Sequence, residues 1–379
     1  QINELENGQV EQAEYFTMWV HQIKTPTLDD YYDFDRTDRH KYCYGRVQNP
    51  TVRILEDKIA ALEHGCGALA LASGMAAAST AVFSTIKAGS HVVCLKNAYG
   101  PLKDLLTGYC REHMNVETTF VKGVEVSEFE AVITDKTDLV VLESPSSLVF
   151  SLQDIRKVSE IAHAHQAKVY IDNTYCTPLY QKPLDMGADI VMHTTSKYIG
   201  GHSDVIGGML VTKDPELFAK LLHNRELFGG IVGPMEAWLM IRGLRTMAAR
   251  LEQHQKTAME VAKFLEEQPM VEKVYYPGLP SHPQYELMKQ QQTGNCGLLS
   301  FELKGTLEQA VRFAESLKIF KIGVSWGGFE SLVFLPHMRL DDQTCEELGA
   351  SQRIVRIHCG LEGTESLISD LRSALERIY

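Results

Sequence analysis

"ADIVMHTTSKYIGGHSD", residues 188–204, runs a short apolar segment into Thr194, Thr195, Ser196 and Lys197, and then into Gly200, Gly201, His202, Ser203 and Asp204. The apolar half has strand character and the polar half carries turn residues, so the segment reads as a strand ending in a loop. A surface loop accounts for the hydroxyls and glycines. A phosphate-bearing aldehyde held covalently by Lys197 accounts for their order as well.

Outward from this stretch, similar short apolar runs alternate with helical ones: "ALALAS", "HVVCLK", "DLVVLES", "KVYIDN" and "GGMLVT". Alternation of that kind predicts an α/β fold with a mostly parallel sheet flanked by helices. Ahead of the first run, "TVRILEDKIAALEHG" spaces Val52, Leu55, Ile59 and Leu62 three and four apart, and Gly65 reads as the end of an amphipathic helix. Beyond about residue 240, "RTMAARLEQHQKTAMEVAKFLEEQ" reads as a long helix. "GLLSFELK", "TLEQAVRFAESL" and "IVRIHCGLE" follow, and then a last helix, which suggests a smaller α+β C-terminal domain. The expected division is an N-terminal arm (1–47), a cofactor-binding α/β domain (48–240) and a C-terminal α+β domain (241–379).

The chain has 379 residues, 44% hydrophobic and 23% charged, enough for two ordinary globular cores. Its net charge of −12 supplies no basic stripe, so no nucleic-acid partner is expected. No apolar run approaches the ~20 residues of a membrane span, and no signal-peptide pattern opens the chain. The eight cysteines are scattered without C-x-x-C spacing and read as buried thiols of a cytoplasmic protein. No metal site is expected.

In open α/β sheets, ligands gather outside the carboxyl ends of the strands. "SGMAAAST" opens a helix after "ALALAS", and the amides of Gly74 and Met75 there suit a phosphate, although small residues also suit close packing. Tyr99 follows "HVVCLK", and Asp172 ends "KVYID"; taken alone, such an acid is a helix cap. Together with Lys197 they fit pyridoxal 5'-phosphate, which needs a lysine for its aldehyde, an acid for its pyridine nitrogen and anion donors for its phosphate. Tyr99 could stack on the ring, and Thr194 and Ser196 could bind the phosphate.

"YGRVQNPT", "ASGMAA", "IDNTYCTP", "TSKYIGGHSD", "GLRTMAARLEQH", "SWGGFESL" and "VRIHCGLEG", in that order, resemble the Cys/Met-metabolism (trans-sulfuration) family of pyridoxal-phosphate enzymes. The resemblance runs from about Tyr42 to the C-terminus and implies the fold-type I transferase architecture. It makes Lys197 the Schiff-base lysine and, with Tyr99, the catalytic pair. Asp172 becomes the pyridinium partner, and Gly74, Met75, Thr194 and Ser196 the phosphate cradle. Tyr44 and Arg46 would reach the cofactor phosphate of a neighbouring subunit, which implies a homodimer or homotetramer with shared sites. Arg356 would clamp the α-carboxylate of an amino-acid substrate through its planar fork, with Ser325 beside it.

Within that family the chain most resembles the cystathionine β-lyase branch. "ESPSSLVF" puts Ser147 where γ-type members carry asparagine, and Trp326, Pro101 and Phe334 also fit the β-lyases. "NPTVRILEDKIAALE" is instead written as the γ-type enzymes write it. The expected activity is β-elimination of cystathionine, with Trp326 and Ser147 in the substrate site. The alternatives are γ-elimination or γ-replacement and, outside catalysis, a cofactor-binding regulator, which would have no use for a substrate clamp. The first 26 residues depart from the family pattern: "EYFTMWVHQIKTP" resembles the phospho-acceptor box of a sensor kinase, with His21 as acceptor.

Overall fold

In the computed structural model, which describes residues 44–378, helix α1 (Pro50–Glu63) starts where the apolar spacing starts. Asn49 accepts from the amides of Thr51 and Val52, and Pro50 occupies the first turn. The helix ends one residue sooner than Gly65 suggests. His64 itself takes the left-handed conformation, at φ 60°, while the Gly65 amide donates to the Ala60 carbonyl at 2.8 Å. Glycine is required at 65 for another reason: a Cβ there would lie 2.4 Å from the Val211 side chain. His21 and most of the arm lie outside the described residues.

Seven strands form the large sheet: β1 (Gly67–Leu71), β2 (His91–Leu95), β3 (Glu117–Val121), β4 (Thr137–Glu143), β5 (Lys168–Asp172), β6 (Ile190–Thr194) and β7 (Gly208–Thr212). Their order is β1-β7-β6-β5-β4-β2-β3. β3, β2, β4, β5 and β6 run parallel, and β7 is antiparallel to both of its neighbours. Each apolar run of the sequence becomes a strand. β3 escapes such a reading because it is an edge strand with only Val121 buried. Helices α2 (Gly74–Thr85), α3 (Gly100–Leu105), α4 (Ile155–Ala164) and α5 (Pro215–Phe228) accompany this sheet. The first three follow β1, β2 and β4, so their N-terminal ends face the same sheet edge as the ends of β5 and β6.

Helix α6 (Pro234–Glu266) leads from this sheet to a second one and begins well before the periodic stretch at Arg245. Gly243 hides its first turns from a propensity reading. The packing needs that glycine, since a Cβ would come within 2.2 Å of the Gly200 carbonyl oxygen in the loop behind Lys197. The second sheet contains β8 (Val271–Tyr275), β9 (Leu298–Leu303), β10 (Lys321–Ile322), β11 (Leu332–Phe334) and β12 (Ile354–His358), ordered β10-β11-β12-β9-β8. Helices α7 (Leu307–Ser316) and α8 (Thr364–Ile378) cover it, and Leu299, Phe301, Phe313, Ile357 and Leu371 form a core separate from that of the large sheet. No helix among the described residues is long and apolar enough to cross a membrane.

Candidate active site

The carboxyl ends of β4, β5 and β6 bring Glu143, Asp172 and Thr194 to one edge, with Glu143 directly opposite Asp172 in register. Asp172 opens a tight turn. Its Oδ1 accepts from the Thr174 amide at 2.9 Å and from Thr174 Oγ1 at 2.5 Å. Thr174 Oγ1 in turn accepts from the Thr194 amide at 2.8 Å, which ties β5 to β6. Both bonds to the Asp172 carboxylate engage Oδ1, so Oδ2 is left to meet a ligand. Burial raises the Asp172 carboxyl above its ordinary pKa, against the Thr174 hydrogen bonds and the charges of His193 and Lys197.

After β6 the hydroxyl residues part company. Thr195 is fully buried, whereas Thr194 and Ser196 are half-buried. Thr194 lies against the start of α2, where a Cβ on Gly74 would sit 2.3 Å from its Oγ1. Ser73 caps α2 by accepting from the Ala76 amide, and Gly74 and Met75 form its first turn. Ser196 Oγ accepts from the Gly207 amide at 3.1 Å. A helix N-terminus with hydroxyls in contact is the donor set that a phosphate requires.

Lys197 is half-buried, and its Nζ donates to Ser325 Oγ at 2.7 Å and lies 5.4 Å from the centroid of the Trp326 ring. Burial first, then the charge of Arg356, lowers its pKa to about 8, with Asp172 acting in the opposite sense. The amine is therefore partly neutral near physiological pH, as an attacking or proton-moving amine must be. Ser325 and Trp326 belong to the 323–331 loop of the small domain. Gly327, at φ +86°, touches the lysine directly: a Cβ would lie 2.9 Å from the Tyr198 amide nitrogen and 3.0 Å from the Lys197 Cα.

Arg356 on β12 reaches the same loop, with Nη2 donating to the Val324 carbonyl at 2.5 Å. Its guanidinium carbon lies 5.8 Å from the centre of the Phe334 ring. No carboxylate among the described residues pairs with it, and burial lowers its pKa to about 10. An unpaired, half-buried guanidinium calls for an anion.

Tyr99 is the N-cap residue of α3 and is 47% exposed. Burial, Asp172 and Glu143 all raise its phenol pKa. Its amide donates to Glu143 Oε2 at 2.7 Å, while Ser147 Oγ donates to Glu143 Oε1 at 2.5 Å. The sequence-predicted residues Lys197, Asp172, Thr194, Ser196, Gly74, Met75, Ser325, Trp326 and Arg356 are thus brought together at the ends of β5 and β6, and Tyr99 and Ser147 join them through Glu143. Tyr44 and Arg46 do not. Arg46 lies over the Tyr44 ring at 5.4 Å and donates to the Glu226 carbonyl at 2.9 Å, with both side chains exposed.

Residue-by-residue reading missed Glu143, Thr174 and Gly327. Thr174 was within reach, since an aspartate two residues before a threonine is an Asx-turn signal. Glu143 and Gly327 act through partners distant in sequence and left no local sign.

The residues fit pyridoxal phosphate: a lysine of lowered pKa, an aspartate with one free oxygen and a phosphate-sized donor set stand together. A family model described as Cys/Met metabolism PLP-dependent enzyme matches residues 5–376, a span that begins well ahead of Tyr42. The chain is 38% identical over 341 residues to a cystathionine γ-lyase of Dictyostelium discoideum, covering 89% of this chain and 88% of that one. It is also 38% identical over 342 residues to a cystathionine β-lyase of Lactococcus lactis subsp. cremoris, covering 89% of each. Among solved structures, cystathionine γ-synthase from Xanthomonas oryzae pv. oryzae superimposes with a TM-score of 0.88 at 33% identity, over 94% of this chain and 91% of that one.

Proposed function

We propose, from the premise that this chain belongs to the Cys/Met metabolism family of pyridoxal-phosphate-dependent enzymes, that it is a carbon–sulfur lyase cleaving cystathionine by β-elimination. The observation that carries the β reading is the enclosure of Lys197 Nζ between Ser325 Oγ and the Trp326 ring. An amine held there by a bulky ring serves one proton position, the substrate α-carbon. A γ-elimination needs the same amine to travel on to Cβ.

Pyridoxal phosphate, when bound, supplies the electron sink that draws density from the substrate α-carbon. The Asp172 carboxylate would pair with the pyridine nitrogen and favour its protonated form. Tyr99 would stack on the ring, and Thr194, Ser196 and the amides of Gly74 and Met75 would hold the phosphate. Arg356 grips the α-carboxylate with Ser325 beside it, and the apolar walls of Trp326 and Phe334 exclude water from the bond being cleaved. Lys197 takes the α-proton. The Cβ–S bond then breaks, and the sulfur leaves with a proton as homocysteine. Water converts the three-carbon remainder to pyruvate and ammonia, which balances the reaction.

In this reading the active unit is a homodimer or homotetramer. The exposed Tyr44 and Arg46 extend to the cofactor phosphate of a neighbouring copy, beyond the reach of their own site. The seven described cysteines are all free thiols, as suits the cytoplasm. The division into arm, cofactor domain and C-terminal domain at residues 47 and 240 belongs to the same reading.

Relatives named γ-lyase at the same identity support γ-elimination as the second reading. One assay separates the two. The protein is incubated separately with cystathionine, methionine and cysteine, and the keto acid is identified. Pyruvate from cystathionine is the expected product; 2-oxobutyrate from cystathionine or methionine overturns the β reading.

A further inference from the structure

Glu143 ends β4 beside the site and touches three of its parts. One oxygen accepts from the Tyr99 amide at 2.7 Å and the other is held by Ser147 Oγ at 2.5 Å, while across the register stands Asp172. Tyr99 is otherwise weakly held. It precedes α3 with φ −48° and ψ 123°, caps that helix without a side-chain hydrogen bond, and is nearly half exposed. The ring that covers the cofactor therefore has one polar anchor from another strand.

We propose that Glu143 is the positioning residue for Tyr99, fixing the backbone from which the aromatic ring projects over the pyridine. This deepens the reading of the site given above and rests on it. Two acids side by side at buried strand ends cannot both carry charge cheaply. Asp172 has two hydrogen bonds from Thr174 and faces the charges of His193 and Lys197, all of which favour its anion. Among the described residues no cation pairs with Glu143. Burial and Asp172 push its pKa well above the usual carboxylate range, against its hydrogen bonds with Ser147 and Tyr99. The remaining titratable groups that feel it, Tyr99, Tyr170 and Cys94, are themselves raised by burial. Of the two acids Glu143 is the more readily protonated, and the geometry leaves its Oε2 to the Tyr99 amide.

The test uses cofactor affinity and the visible circular dichroism of the bound cofactor, both read without turnover. Glu143→Ala should weaken pyridoxal-phosphate binding by about tenfold or more, the size expected when a hydrogen bond to an acid is lost. Tyr99→Ala should do the same, and the double variant should fall no further than about threefold below the worse single, because both changes act through the same ring. The visible band should change alike in both single variants. Glu143→Gln, which keeps an acceptor for the amide and is always neutral, should restore both signals. Should Glu143→Ala fail to fold, Glu143→Asp, whose oxygens are withdrawn by one methylene, carries the same expectation. Additive losses, or an alanine or aspartate variant with wild-type affinity and band, overturn the inference alone. A wild-type protein that takes up no cofactor overturns the site reading and this inference together.

Discussion

Around Lys197 the site has two halves built in different ways. On the sheet side, Asp172, Thr174, Thr194 and Ser196 are joined to one another and to neighbouring backbone over a few residues of chain. On the other side, Ser325, Trp326 and Arg356 come from the small domain, and the 323–331 loop is held by distant partners. Glu362 accepts from the Ser331 amide and hydroxyl at 2.7 Å each, and Ser203 donates to Glu330 at 2.6 Å across the two domains. A shared cofactor needs a fixed frame, and strand ends supply one. Substrate choice needs a surface that can change without disturbing that frame, and on the proposed reading the loop is that surface. Relatives of equal identity carry the names of different reactions on cystathionine.

Breaking the fixed half should have the largest effect. Asp172→Asn keeps the shape and removes the charge proposed to pair with the pyridine nitrogen. Loss of a buried charge pair costs about 3–5 kcal/mol, so kcat/KM should fall by roughly two to four powers of ten. Keto-acid release, with far-UV circular dichroism as the folding control, checks this. A loss below tenfold would move Asp172 out of the cofactor's surroundings.

The substrate half should respond less and differently. Arg356→Lys retains charge but loses the second parallel hydrogen bond to a carboxylate. It should lower kcat/KM by about ten- to a hundredfold, through roughly 1.4–2.8 kcal/mol, with the cofactor's absorbance unchanged. The same position tunes Lys197. A like charge disfavours the ammonium, so in cofactor-free protein the Lys197 amine should titrate near 8, stay there in Arg356→Lys and rise in Arg356→Gln. Labelling rates at this lysine as a function of pH read it out.

The smallest effect tests how the halves meet. Gly327 and Gly349 both have left-handed φ, +86° and +83°, but only Gly327 is crowded; nothing lies within 4 Å of a Cβ on Gly349. Gly349→Ala should cost only the backbone strain, about 1–3 kcal/mol in unfolding free energy. Gly327→Ala should cost more and also raise KM, because the loop must back away from Lys197. Equal losses of stability with equal KM would show that the loop does not rest on the lysine.

The sequence carried the fixed half well because its signals are local: apolar runs ending in Asp172 and Thr194, then hydroxyls and Lys197 within three residues. Arg356 was visible only as a charge in an apolar strand, and its role came from resemblance. What went unread depends on pairing between distant segments. Examples are β3 at its solvent-facing edge, the early start of α6 under Gly243, and Glu143, whose partners Tyr99 and Asp172 lie 44 and 29 residues away in the chain. Spacing along a chain does not report which strand ends become neighbours.

The central claim is that Lys197 holds the cofactor at the junction of the two halves. Purified protein reconstituted with pyridoxal phosphate is reduced with borohydride, digested and mapped by mass spectrometry. One phosphopyridoxyl label, on Lys197, is the expected result. A label on any other lysine, with Lys197 unmodified, contradicts it.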